Sequence, residues 1–158
     1  MVGLMNIQEQ EQIRMLLQNI EDNQKRIPTF SDLRQHPVFG ASFAGMESSQ
    51  KQTVELMIKQ YIADKVDSLT KTKGGQLFKR FFESSPELFW QFRALNESDE
   101  SAQSPEFQVV GKRVEQEMFR LEGILTDRML KQEKGLDKVI DSFYNIVYLF
   151  FPRYNCLD

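Results

Sequence analysis

The chain has 158 residues, of which 41% are hydrophobic and 27% charged, with a net charge of −3; this balance fits one soluble domain with a sizeable core and excludes disorder throughout. Acidic and basic residues are interspersed, so the clustered positive face that phosphate binding needs is absent, which argues against a nucleic-acid partner. A single cysteine, Cys156, excludes an intrachain disulfide and points to a reducing compartment.

The first residues lack a basic leader followed by an apolar run, and Val2 stands where myristoylation requires glycine. The longest apolar run, Val139 to Phe151, is interrupted by Asp141, Ser142 and Asn145 and is too short to span a bilayer. A soluble cytoplasmic protein with no membrane span is expected.

From Asn6 to Arg26, Ile13, Leu16, Leu17 and Ile20 form one thin helical stripe. The pattern lasts well under three heptads, so it reads as a helix packing one edge on the domain rather than a coiled-coil arm. Between Ile27 and Met46, Pro28, Pro37, Gly40 and Gly45 break any period, which predicts a linker or an extended wrapping segment. His36, the only histidine, precedes a proline there and reads as a solvated side chain. Its solitude excludes a histidine-rich metal site and a Cys/His zinc site.

Ser48 or Ser49 caps the next helix, in which Val54, Met57, Ile58, Tyr61, Ile62, Val66 and Leu69 keep the helical period for over four turns. The stretch Gly74 to Phe92 then concentrates five of the thirteen phenylalanines and the only tryptophan. Leu77, Phe78, Phe81 and Phe82 share one helical face; Ser85 and Pro86 start a second helix that is apolar nearly all round and therefore needs cover. Residues 93–103 read as an acidic, polar loop with room for one helical turn, Asp99 and Glu100 being solvated carboxylates. Ser104, Pro105 and Glu106 start a core-facing helix with Phe107, Val110, Val114, Met118, Leu121 and Leu125 on one face. A polar segment, Thr126 to Lys134, leads through Gly135 to a last helix carrying Leu136, Val139, Ile140, Phe143, Ile146 and Val147, which Pro152 stops. No run alternates apolar and polar residues as a strand does, so the fold class is all-α.

Reaction machinery is missing: there is no Gly-rich phosphate loop, GxSxG elbow, HExxH, acidic calcium loop or Cys with a nearby His, and the expectation is not an enzyme.

The pattern Gly74, Phe78, Phe82, Pro86, Phe92 resembles the second and third helices of the globin family. Phe107, Val110, Gly111 and Val114 are similar to that family's distal F-x-x-H-G-x-x-V motif with valine in the histidine's place. Leu136, Asp137, Val139, Phe143 and Ile146 are similar to its proximal helix, with Phe150 at the position of the iron-binding histidine. The resemblance covers residues 49 to 147. It implies a globin-like helical domain over 48–158, truncated at the C-terminus, behind an N-terminal extension at 1–47. It also implies heme as cofactor and oxygen binding or sensing as function, with Phe78, Phe82, Phe92, Val110, Val114 and Phe150 around the cofactor. Gly111 is then expected to let its helix cross close to the one that starts at Gly74. Since neither heme histidine is present, an axial ligand has to come from Tyr144, Tyr148, Met129, Cys156 or His36.

The last two globin helices have no counterpart, which predicts partly bare faces on Phe107 to Leu125 and Leu136 to Phe151 and makes the tail FFPRYNCLD read as foreign sequence in a truncated or alternative form. Two other readings stay open. One is a heme-free globin-like sensor or adaptor that takes another apolar ligand, a protein partner or a second copy of itself; the other is a helical interaction domain unrelated to globins.

Overall fold

The computed structural model describes residues 6–98, 101–129 and 135–157. Among these residues every regular element is helical, as the absence of strand-like alternation implies: α1 (Ile7–Gln24), α2 (Phe30–Gln35), α3 (Phe39–Ala44), α4 (Ser48–Ser68), α5 (Lys73–Ser84), α6 (Pro86–Glu97), α7 (Pro105–Met129) and α8 (Leu136–Phe150), with 3-10 turns at Leu69–Lys71 and Tyr154–Cys156. The carboxylates Asp99 and Glu100 and part of the expected polar segment, 130–134, lie outside the described residues. The chain divides into two compact units, Met1–Lys65 and Val66–Asp158. The division falls inside α4, so most of that helix groups with residues 1–47 and not with the C-terminal unit.

In the N-terminal unit, α1 starts at a capping box: Asn6 Oδ1 accepts from the Glu9 N–H at 2.8 Å, and Glu9 Oε1 accepts from the Asn6 N–H at 3.4 Å. Ile13, Leu17 and Ile20 of its expected stripe are buried, while Leu16 is half-buried. Glu21 ties α1 to α4, accepting from Tyr61 Oη at 2.8 Å and pairing with Lys65 Nζ at 2.6 Å.

The expected linker over Ile27–Met46 is instead two short helices. Thr29 and Asp32 form a second capping box at the start of α2, with bonds of 3.1 and 2.9 Å, and Asp32 also pairs with Arg26. Helices of six residues make fewer than two turns, too few to display a hydrophobic period. Local capping and close approach build them: a Cβ on Gly40 would collide with the Arg34 carbonyl oxygen, so α3 can lie directly on the end of α2.

The C-terminal unit is organised around α5. Thr72 caps it, its Oγ1 accepting from the Gly75 N–H at 3.0 Å, and Leu77, Phe78 and Phe81 are buried while Phe82 is half-buried. α5 runs against α8: a Cβ on Gly74 would stand 2.7 Å from the Phe143 backbone nitrogen. Pro86 occupies the first turn of α6, but Ser85 makes no side-chain cap bond there, contrary to the expectation. α6 continues through the expected loop to Glu97, burying Phe89, Phe92, Leu95, Arg93 and Asn96.

Ser104 caps α7 as expected, its Oγ accepting from the Phe107 N–H at 3.2 Å. Phe107, Val110, Val114, Met118 and Leu121 are buried, and on α8 so are Phe143, Ile146, Val147 and Phe150. The expectation of partly bare faces holds only in part: Leu125, Leu136, Val139 and Ile140 are half-buried and Leu149 is exposed, while the rest of both stripes is covered.

The C-terminal residues contribute to that closure. Phe151 and Tyr154 are buried, Arg93 Nη1 donates to the Phe150 carbonyl at 3.0 Å, and the Arg153 N–H donates to Asn96 Oδ1 at 2.7 Å. Arg153 Nη1 also reaches the Leu95 carbonyl at 3.1 Å, and its guanidinium lies 4.6 Å from the Phe107 ring centroid. The tail expected to be foreign sequence is packed into the unit.

Among the described residues two glycines face open space, Gly123 and Gly135, and of these Gly135 has a left-handed backbone, φ 88°, that strains any side chain. Gly123, exposed in the middle of α7, has nothing within 4 Å of a built Cβ. Replacing it with alanine restricts the unfolded chain at no steric cost, and we expect Gly123→Ala to stabilise the C-terminal unit by about 0.5–1 kcal/mol in a urea melt.

Candidate functional site

The six residues expected around a cofactor lie in or beside an aromatic cluster that is filled by its own rings. Phe78 stacks on Phe150 with ring centroids 4.9 Å apart and planes at 26°, and it also meets Phe81, Phe89, Phe143 and Phe151. Phe92 reaches the cluster through Phe151 at 5.0 Å and packs on Phe107 at 5.3 Å. Phe82 sits at the edge, edge-on to Phe89 at 4.7 Å and near Trp90 at 6.0 Å. Val110 and Val114 are buried on α7. Between them, Gly111 does not face Gly74, as expected, but the Leu157 side chain, whereas Gly74 faces Ser142 and Phe143 of α8.

These distances decide the fit of a flat macrocycle. Inserted between two rings, it would hold them roughly 7 Å apart, twice a carbon contact of about 3.5 Å. Phe78 and Phe150 are instead in direct contact, in the ordinary range for paired aromatic side chains.

The ligand candidates do not mend this. Tyr144 donates its hydroxyl to Glu122 Oε2 at 2.9 Å; burial first, then that bond, pushes its pKa well above the usual tyrosine value and opposes the phenolate that iron would need. Tyr148 and Cys156 are exposed, and the Met129 side chain lies outside the described residues. His36 belongs to the N-terminal unit and its ring is engaged there. The residues present do not fit heme between Phe78 and Phe150.

The raised tyrosines have a consequence in alkali. Tyr61, Tyr144 and Tyr154 are all pushed up, by burial first and then, for Tyr61 and Tyr144, by hydrogen bonds to Glu21 and Glu122. Each folded-state pKa lies above the unfolded one, so the folded state holds its proton longer. That contribution is complete below the unfolded value near pH ~10 and is lost as pH rises further. The urea midpoint should therefore fall above about pH 10, with a shallower fall in Tyr144→Phe.

Among the described residues, two surface concavities bear on function. One, of about 500 Å³, lies beside α5 and is lined by Thr70, Lys79, Arg80 and Glu83 among others. Its lysine is already bridged to Asp67 at 2.7 Å and Glu83 at 3.5 Å on an exposed face, a solvated arrangement.

The other is a groove of about 490 Å³ within the N-terminal unit. α1 supplies Ile13, Met15 and Leu16; Val38 and Phe39 at the start of α3, and Met46 beyond its end, form the facing wall. Met15 is 60% exposed and Val38 74% exposed. The α1 wall runs from Glu9 to Asn19, a rise of roughly 15 Å, and follows one helical stripe. Glu9 is the only carboxylate on the lining, and no lysine or arginine lines it.

His36 lines the same groove and is a structural part of it. Its Nδ1 accepts from the Phe39 N–H at 3.1 Å and the Val38 N–H at 3.3 Å, while its carbonyl accepts from the Gly40 N–H at 2.8 Å. Two converging donors require a lone pair on Nδ1, which puts the ring proton on Nε2. His36 is therefore half-buried and engaged, not the solvated side chain expected. The sequence hint was its place two and three residues before the amides of a helix start, a spacing usually watched for Asn, Asp, Ser and Thr.

Among the described residues no helix is long and apolar enough to cross a membrane, and no group of three or more His, Cys, Asp or Glu is placed to hold a metal ion. The chain matches no protein-family model, no curated protein and no solved structure.

Proposed function

We propose that this protein is a heme-free, non-enzymatic helical interaction module whose N-terminal unit receives an amphipathic helix of a partner protein in the groove between α1 and α3. The groove itself carries the reading: it is about 490 Å³, walled along roughly 15 Å by one stripe of α1, with an apolar centre of Ile13, Met15, Leu16, Val38, Phe39 and Met46 among the polar Gln12, Asn19 and Ser42. Such a channel matches about ten residues, or nearly three turns, of a docked helix, which would present apolar side chains at i, i+3 or i+4 and i+7. Methionine at positions 15 and 46 supplies a pliable surface of the kind used for helical ligands. Glu9 favours a ligand with a lysine or arginine at the corresponding end.

The closed Phe78–Phe150 stack supports the heme-free part of the reading. Hemin added to the folded chain is expected to keep the spectrum of free hemin; a sharp, saturable Soret shift would overturn that part.

The binding reading is tested with peptides selected from a library of amphipathic helices against the full chain. Bound peptides should perturb the backbone resonances of Leu16, Val38 and Phe39. Val38→Asp, at an exposed position that leaves the core intact, should weaken them by at least about tenfold, since a charge facing an apolar stripe has to be desolvated. Peptides that map elsewhere, or that ignore this substitution, would refute the proposal.

A further inference from the structure

We infer that His36 is a proton-operated latch on the groove, holding its α3 wall in place only while the imidazole is neutral; this rests on the groove being the binding surface. The geometry is a conflict waiting on one proton. In the neutral ring, Nδ1 accepts from the amides of Val38 and Phe39 at 3.3 and 3.1 Å, the first two N–H groups of the wall that faces α1. Protonation converts Nδ1 into a donor pointed at two donors, so both bonds are lost and the ring is driven away. The same residue ends α2, its N–H donating to the Leu33 carbonyl at 3.3 Å, so the ring motion acts at the junction of the two short helices.

Apart from the Gly40 N–H bond to the His36 carbonyl, α3 has little else to hold its start. Its N-cap residue is Val38, which has no capping side chain, and the helix is only six residues long. Val38 and Phe39, the residues that would be released, are part of the groove lining, so uncapping deforms the surface a helix would dock on.

The charges around His36 do not mask the effect. α3 contains no titratable residue. From α1, Glu9 lines the same groove and supplies no acceptor to the two amides. From α2, Arg34 stands in the last turn, and Asp32 is occupied by Arg26 and the α2 cap. His36 is the only histidine, so a pH response of these two amides has one candidate imidazole.

The test is a pH titration of the full chain followed by backbone amide and His36 ring resonances, without any ligand and then with a library-selected helical peptide. The amides of Val38 and Phe39 should titrate with the midpoint of the ring, and their exchange protection factors should fall about fivefold or more, the change expected for loss of one helix cap. His36→Asn keeps an acceptor that does not titrate, so the pH dependence should vanish while the helix start remains protected. A ring that titrates without moving these amides, or an unchanged titration in the Asn variant, would overturn the latch. If the free chain shows the latch but the peptide binds elsewhere, the latch stands and the groove reading falls; binding at the groove that is independent of pH gives the reverse.

Discussion

Phe150→Ala should be among the most damaging single substitutions in the protein, lowering the stability of the C-terminal unit by about 3–5 kcal/mol. Phe150 is fully buried, stacks on Phe78 at 4.9 Å and packs on Phe89 at 5.9 Å, while its carbonyl receives Arg93. Truncation removes the transfer free energy of the ring and leaves a cavity lined by other rings that are themselves held by several neighbours, so little collapse is available. Phe82→Ala is the control. Phe82 belongs to the same cluster but is half-buried at its edge, and its truncation should cost clearly less. Urea unfolding followed by tryptophan fluorescence measures both, since Trp90 is the only tryptophan and lies 4.9 Å from Phe89. Equal costs at the two positions would mean that the cluster is looser than its ring contacts imply.

Gly74→Ala should cost about 1–3 kcal/mol, against the usual gain from placing alanine in a helix. The added methyl would stand 2.7 Å from the Phe143 backbone nitrogen and 2.8 Å from Ser142 Cβ, so α5 and α8 have to separate as rigid bodies. Gly111→Ala makes the informative comparison. Its methyl would meet the end of the Leu157 side chain, which can rotate away, so the stability loss should be small and its trace should appear as released contacts of Leu157. Thermal melts of both variants, with amide spectra of the tail, separate a backbone obstruction from a side-chain one. A Gly74→Ala protein as stable as the parent would show that the α5–α8 contact can open at little cost.

Much of the helical framework was legible from residue spacing. Ile13, Leu17 and Ile20 on α1, Val54, Ile58 and Ile62 on α4, and most of the stripes of α5, α7 and α8 are buried where their period placed them. The caps at Asn6 and Ser104 belong to the same local level, because a side chain and an amide three residues apart meet whatever the rest of the chain does. The groove residues are legible only as a thin stripe and scattered apolar residues, and His36 before a proline reads as solvated although its ring is engaged.

Residue order alone therefore dictates the all-α class and the faces of the long helices, since a 3.6-residue period is a property of a few consecutive turns. Which faces meet was decided by packing in three dimensions. It put Gly74 against Phe143 rather than Gly111, closed Phe78 onto Phe150 where a flat slot was expected, seated the tail on α6 and α7 through Arg153, and turned Val38 and Phe39 toward α1. Such pairings join residues many turns apart, and an apolar ring fills a core and lines a pocket with the same surface. Local spacing carries no information about which neighbour arrives to cover it.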